Sequence, residues 1–258
     1  MEEYCGAQAR FYDLYFTGVE GDVAFYVEEA RRAGSPVLEL GCGTGRIALP
    51  VARAGIRVVG LDRSAPLLAL AGQKVAAALP EVRASVELVQ GDMREFSLAE
   101  RFPLVLVPYR AFQHLLTPVD QEQALGCIYE HLEEGGRLVL DLFDPLQDMA
   151  VSGWGRGGLK KDTDFIEPQT GNQVVVWYTR HYDPQLQLME QDLVFEEVDQ
   201  EGRVVSQNHG RLTLRYTFRY EMHYLLELSG FEVEALYGDF NGGPFLGHGE
   251  QVWVARRV

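Results

Sequence analysis

Residues 37–64 read VLELGCGTGRIALPVARAGIRVVGLDRS. Two apolar runs, Val37 to Leu40 and Arg57 to Leu61, flank a turn with glycines at Gly41, Gly43 and Gly45, and the second run closes on Asp62. Runs this short read as buried strands, and Arg46 to Arg53 between them as a helix. A strand running straight into GCGTG and then a helix brings backbone N–H groups and a helix N-terminus to the carboxyl edge of a sheet. No side chain there blocks a ligand's approach. Glycines at three alternate positions therefore point to a nucleotide-cofactor crevice rather than to a bare turn.

The choice of cofactor turns on the neighbouring residues. A dinucleotide fingerprint, GxGxxG, needs a third glycine where this chain has Arg46, and its helix faces an anionic pyrophosphate. Glu39, two residues before the first glycine, offers such an anion nothing. It would attract a ligand with a cationic amino acid end and a sulfonium. Asp62 can accept both hydroxyls of a ribose, as either cofactor would require. In VQGDMREF (89–96) Asp92 ends a third strand, where its carboxylate can accept from the exocyclic amine of adenine while Met93 packs on the ring; on its own it would read as a helix N-cap.

Outward from this stretch, strand-like and helix-like segments alternate to about residue 149, as in a parallel sheet covered on both faces. A helix from Ala65 to Leu79 ends at Pro80, followed by strands at Ser85 to Val89 and Leu104 to Val107. A helix at Asp120 to Leu132 and a strand at Leu138 to Leu142 complete this half. The glycine-rich stretch from Ser152 to Gly158 breaks the rhythm. From Gln173 to Phe218 the period becomes two: QVVVWYTRHYDP, LQLMEQDLVFEEV and RLTLRYTFR read as a three-stranded antiparallel meander, with turns at Asp183-Pro184 and Asp199 to Gly202. A last helix, Tyr220 to Ser229 with Gly230 as its left-handed cap, leads to strands at Phe231 to Tyr237 and Gln251 to Val254. The expected domains are residues 1–150 as the cofactor-binding core with N-terminal helices, 151–218 as the inserted meander, and 219–258 as the end of the core.

Composition narrows the partners. The chain has 258 residues and a net charge of -15, which repels nucleic acid and anionic membranes over most of its surface. No apolar run reaches the roughly 18 residues of a spanning helix, and MEEYCGAQAR lacks the basic end of a signal peptide, so the expectation is a cytoplasmic protein. Cys5, Cys42 and Cys127 lack metal-ligand spacing, so no metal is expected.

VLELGCGTGRIA, VVGLDRS, VQGDMREF and LEEGGRLVLDLF resemble the successive motifs of class I S-adenosylmethionine-dependent methyltransferases. The resemblance covers residues 37–143 and resumes in the last helix and two strands. It implies a doubly wound, seven-stranded, mostly parallel sheet whose last strand is antiparallel, as FEVEALYGDF and QVWVARRV suit. It also implies that Gly41, Gly43 and Gly45 line the methionine and ribose, that Glu39 sits near the amino acid end, that Asp62 holds the ribose, and that Asp92 with Met93 holds adenine. The meander resembles the β lid of small-molecule N-methyltransferases; its single apolar face must cover a cleft or a second copy of the chain, so monomer and homodimer both stay open. ARFYDLYF (9–16) resembles the aromatic stretch such enzymes fold over the cofactor, which would bring Tyr12 and Tyr15 near the sulfonium; the same residues also read as an apolar helix face.

The expected acceptor is a small polar molecule with an amine or hydroxyl. Enzymes acting on nucleobase amines carry an Asn/Asp-Pro-Pro-Tyr/Phe motif after the fourth strand, where this chain has VPYRAFQHL (107–115). The candidate catalytic residues are His114, Tyr109 and Tyr12, with His248 and Asp239 as weaker ones. His114, in an FQHL setting similar to that of sugar N-methyltransferases, is the expected acceptor contact, or else a histidine bonded to a loop carbonyl. His131 and His209 read as structural or solvated, and Arg46 and Arg110 as surface charges or as partners for an acceptor carboxylate or phosphate. Two alternatives accompany this reading: a cofactor-binding protein without turnover, and a nicotinamide-dependent oxidoreductase.

Overall fold

The computed structural model describes residues 7–152 and 157–258. Its strands are β1 (Val37–Leu40), β2 (Val58–Asp62), β3 (Val86–Gln90), β4 (Phe102–Val107), β5 (Leu132–Asp144), β6 (Lys160–Ile166), β7 (Gln173–Asp183), β8 (Leu188–Val198), β9 (Val204–Arg215), β10 (Phe231–Tyr237) and β11 (Gly249–Arg257). The helices are α1 (Ala7–Arg10), α2 (Tyr12–Tyr15), α3 (Asp22–Ala33), α4 (Ala48–Arg53), α5 (Ala65–Ala76), α6 (Pro80–Ala84), α7 (Pro118–His131), α8 (Leu146–Ser152) and α9 (Arg219–Leu228), with a 3-10 turn at Ala111–His114. None of the described helices is long and apolar enough to cross a membrane. Cys5 lies outside the described residues, as does most of the glycine-rich stretch 152–158.

The described chain forms two compact units. The larger, Gly18–Gln147 with Tyr216–Val258, holds a seven-stranded sheet in the order β10-β11-β5-β4-β1-β2-β3. β1 to β5 run parallel, and β11 lies antiparallel between β10 and β5. Alternation along the strands sends Leu38, Leu40, Val105 and Leu140 to the face covered by Leu125 and Ile128 of α7 and Met222 and Leu226 of α9. Val37, Leu104, Leu106 and Val139 go to the other face, under Tyr26 and Ala30 of α3 and Val51 and Ala52 of α4. Helix starts follow from local chemistry. Ser64 Oγ accepts from Leu67 N–H at 3.4 Å and Thr117 Oγ1 from Asp120 N–H at 3.1 Å, each just before a proline in the first turn. Gly230, at φ 88°, sits in the left-handed region expected of it.

The smaller unit comprises the described residues of 7–17 and 148–215, and holds a four-stranded antiparallel sheet in the order β6-β7-β8-β9. Its core is Phe11, Val174, Val176, Leu193 and Phe195, against which Leu14 and Tyr15 pack. Phe11 lies between the rings of Phe165 and Phe195 at 5.8 and 5.7 Å.

Five expectations are corrected. The meander has a further strand, β6, whose residues are mostly exposed and so carry no alternating signal. The last meander strand ends at Arg215 rather than Phe218. The helix ending at Pro80 stops at Ala76, and Pro80 instead opens α6. The helix after the glycines begins at Ala48 rather than at Arg46, because residues 43–47 form turns. The N-terminal residues expected in the cofactor core cluster with the antiparallel sheet up to Thr17, since Phe11 supplies part of that sheet's core.

Candidate cofactor and active site

Strand order reverses at β1, which has β2 on one side and β4 on the other, so a crevice opens beyond the carboxyl ends of β1 and β4. The glycine turn follows β1, and the segment 108–115 follows β4. They meet at Gly41: a Cβ there would stand 2.6 Å from the Cβ of Ala111 and 3.7 Å from Met93 Cε. Gly41 also has φ 71°, so glycine is required both by conformation and by this contact across the crevice.

Asp62, at the end of β2, organises the turn from the other side. Its Oδ2 accepts the N–H of Gly43 at 2.7 Å and its Oδ1 that of Ser64 at 2.7 Å. Each oxygen keeps a lone pair for a further donor, which suits a ribose diol. Burial pushes the Asp62 carboxyl up, against the pull of the Ser64 and Gly43 N–H groups and of nearby His114.

Glu39 alternates onto the face covered by α3 and α4 and is 2% exposed. Its carboxylate accepts the N–H of Ala48, the first residue of α4, while Oε2 is buried with no hydrogen-bond partner among the described residues. Burial raises its pKa to about 8, against the attraction of Arg46, with the charge of Asp62 raising it further. A buried carboxylate oxygen without a donor is costly, and a cationic ligand group would relieve it.

Asp92 is neither bare nor a helix cap. Arg94 grips it with Nε on Oδ1 at 3.0 Å, Nη2 on Oδ2 at 2.7 Å and its own N–H on Oδ1 at 3.0 Å, and reaches on to Asp120 at 2.8 Å. These bonds, the Arg94 guanidinium first, hold the Asp92 carboxyl below its usual range. Oδ2 retains room for one more donor.

The catalytic candidates separate. His114 ends the 3-10 turn after β4, half-buried and within electrostatic reach of Asp62. The guanidinium carbons of Arg46 and Arg110 stand over the ring of Tyr109 at 5.0 and 5.7 Å from its centroid, and its hydroxyl bonds to the Gly18 backbone. Burial raises the Tyr109 phenol above its ordinary value. Tyr12 and Tyr15 belong to the antiparallel unit, where Tyr15 donates to Asp162 at 2.6 Å and its ring meets Phe195 edge-on. Asp239 caps its own loop, accepting from Asn241 and Gly243, and His248 is exposed. His131 is structural, bonded to the Cys127 carbonyl and the Leu98 N–H, and His209 is exposed.

Arg46 and Arg110, read as surface charges or as partners for an acceptor carboxylate or phosphate, each pair with an acid of this chain. Arg46 makes a two-pronged pair with Asp22 at 2.7 and 2.9 Å, and Arg110 pairs with Glu250. The sequence reading missed Asp22, Tyr26 and Asp141. Only Asp141 left a trace, as an acid inside the apolar run LVLDLF, which is the signal that picked out Glu39 in VLEL.

A doubly wound sheet with a glycine turn at its switch point, and with the strand acids Glu39 and Asp62 beside that turn, is the fold of the Rossmann-like nucleotide-cofactor proteins. The chain matches the methyltransferase domain family over residues 37–136. It is 26% identical over 234 residues to the cypemycin N-terminal methyltransferase of a Streptomyces species, covering 91% of this chain and 87% of that protein. It is 30% identical over 146 residues to the dTDP-3-amino-3,6-dideoxy-α-D-glucopyranose N,N-dimethyltransferase of Streptomyces fradiae, and spans about half the length of that relative. Among solved structures, the CcbJ methyltransferase of Streptomyces caelestis shares the fold with a TM-score of 0.79 and 24% identity, over 94% of this chain and 98% of that one. Residues 37–136 thus match a methyltransferase domain, and over most of its length the chain is similar to S-adenosylmethionine-dependent methyltransferases. The orphaned Glu39 Oε2, the open lone pairs of Asp62 and the glycine turn fit the cofactor of that family.

Proposed function

We propose that this enzyme methylates an amine nitrogen on a small or peptide-terminal acceptor. The observation that carries the cofactor side is Glu39, a buried carboxylate with one oxygen unmet beside the glycine turn. Glu39 would hold the amino acid end of S-adenosylmethionine, Asp62 the ribose, and Asp92 with Met93 the adenine. Bound there, S-adenosylmethionine supplies an electrophilic methyl group on a sulfonium. The protein's contribution is to hold an acceptor lone pair in line with that methyl and to exclude water, which at good geometry is worth several kcal/mol. His114 would orient the acceptor or take the proton from an amine that arrives charged.

The amine is supported by the relatives, one named for an N-terminus and the other for the amino group of a nucleotide sugar. A hydroxyl acceptor remains the second reading, because the family match covers residues 37–136 and the antiparallel unit lies outside it. That unit is proposed to select the acceptor. The test is S-adenosylhomocysteine formation over a panel of nucleotide amino sugars, peptides with free N-termini, simple amines and phenols, with mass spectrometry of the product. Turnover of phenols alone would overturn the amine.

A further inference from the structure

Tyr109 at φ 52° and Arg110 at φ 64° adopt the left-handed backbone in succession at the carboxyl end of β4. Residues with side chains persist there only where their surroundings impose it. The N–H groups of this turn converge on a single carboxylate: Tyr109 donates to Asp141 Oδ1 at 2.7 Å and Arg110 to Oδ2 at 3.0 Å. The hydroxyl of Tyr26 on α3 donates to the same Oδ1 at 2.5 Å. Consecutive N–H groups in such a turn form a concave anion site. Here the anion is the protein's own, carried by β5 and fully buried.

A carboxylate buried in an apolar strand is costly unless its lone pairs are met, so its three donors and the turn stabilise one another. The helix behind them serves both sides of the crevice. Tyr26 follows Asp22 by one turn of α3, and Asp22 holds Arg46 of the glycine turn, whose guanidinium lies on the ring of Tyr109.

We infer that Asp141 is a positioning residue for methyl transfer: its carboxylate holds the left-handed Tyr109–Arg110 turn, and with it the 3-10 turn that carries His114. This rests on the reading that the segment after β4 meets the acceptor. Asp141→Asn replaces one acceptor oxygen by an amide N–H, so one of the two backbone donors is left unmet.

In Asp141→Asn, amide hydrogen exchange at Tyr109 and Arg110 is expected to rise at least about tenfold while Leu104 to Leu106 of the same strand keep their protection. The dissociation constant for S-adenosylhomocysteine should stay within about threefold. The kcat on whichever panel amine the wild type turns over fastest should fall roughly ten- to a hundredfold. Adding Arg110→Gly to Asp141→Asn should recover part of that kcat, because glycine takes the left-handed conformation without strain; loss of a purely structural residue would not be rescued this way. If Asp141→Asn does not fold, Tyr26→Phe carries the test, with a smaller rise at the same two amides. Unchanged exchange at Tyr109 and Arg110, an equal rise along β4, or wild-type kcat and KM would overturn the inference. A wild type that turns over no amine would instead overturn the acceptor reading, and the exchange measurement would still decide whether Asp141 holds the turn.

Discussion

The carboxylate of Asp62, at the end of one strand, accepts the backbone N–H of Gly43, in the turn after its neighbour, at 2.7 Å. The residue proposed to hold the ribose therefore also shapes the loop beneath it. Asp62→Ala should weaken S-adenosylmethionine binding by about 1–3 kcal/mol, the loss expected for charge-assisted hydrogen bonds. It should also lower the melting temperature of the cofactor-free enzyme, since the Gly43 N–H loses its acceptor. Calorimetry that returned an unchanged dissociation constant would place the ribose elsewhere.

Glu39 ties stability to pH. Its folded pKa of about 8 stands above the unfolded value of 4.5, so the fold keeps a proton that the unfolded chain releases. The stability this proton contributes is complete below the unfolded value and is lost as the pH climbs through the folded one. Glu39→Gln should flatten that slope and leave the cofactor-free variant more stable than wild type above pH 8, by about 1–4 kcal/mol in denaturant titrations. Pairing with a ligand ammonium restores the carboxylate, so cofactor binding near neutral pH should release close to one proton. Calorimetry in two buffers of different ionisation heat should detect that release in wild type and not in Glu39→Gln.

Arg94 leaves Asp92 charged and with one open site on Oδ2. If that site takes the exocyclic amine of adenine, Asp92→Ala should cost about 1–2 kcal/mol of cofactor affinity. S-inosylhomocysteine, which lacks the amine, supplies the control. Wild type should prefer S-adenosylhomocysteine over it and Asp92→Ala should bind the two alike; a preference that survives the substitution would move adenine away from Asp92.

His114→Gln distinguishes a base from a guide. As a base, the histidine's loss should lower kcat roughly ten- to a thousandfold with cofactor affinity nearly unchanged, and the deficit should shrink at high pH as the acceptor loses its own proton. As a guide, its loss should raise KM and leave the pH profile in shape. Wild-type kinetics with a lowered melting temperature would make the residue structural, and Tyr109 would be tested next.

The legible part of this protein was its local part. Glycines, strand-ending acids and alternating runs place the parallel sheet and its cofactor edge, because each signal spans only a few residues. The unread features are pairings across long stretches of chain. Asp22 with Arg46, Tyr26 with Asp141 and Phe11 with Phe195 join residues whose own neighbourhoods say nothing of the partner. β6 went unread for a different reason: in KKDTDFI most residues are exposed, so neither hydrophobic period nor burial marks it. Asp141 was available in principle, since an acid inside an apolar strand must find donors, but nothing local shows that those donors are two consecutive backbone N–H groups.

The position of β11 between β5 and β10 bears on how the chain is made. β5 emerges from the ribosome early, yet the strand that covers its open edge follows only after the antiparallel insert, α9 and β10. At about 5–20 residues per second, roughly a hundred residues of translation pass while that apolar edge waits, for some 5–20 seconds. The nascent sheet is thus a target for chaperones and for edge-to-edge association with its neighbours on the same message. Slowing translation across β6 to β10 should lengthen this window and lower soluble yield without changing one amino acid.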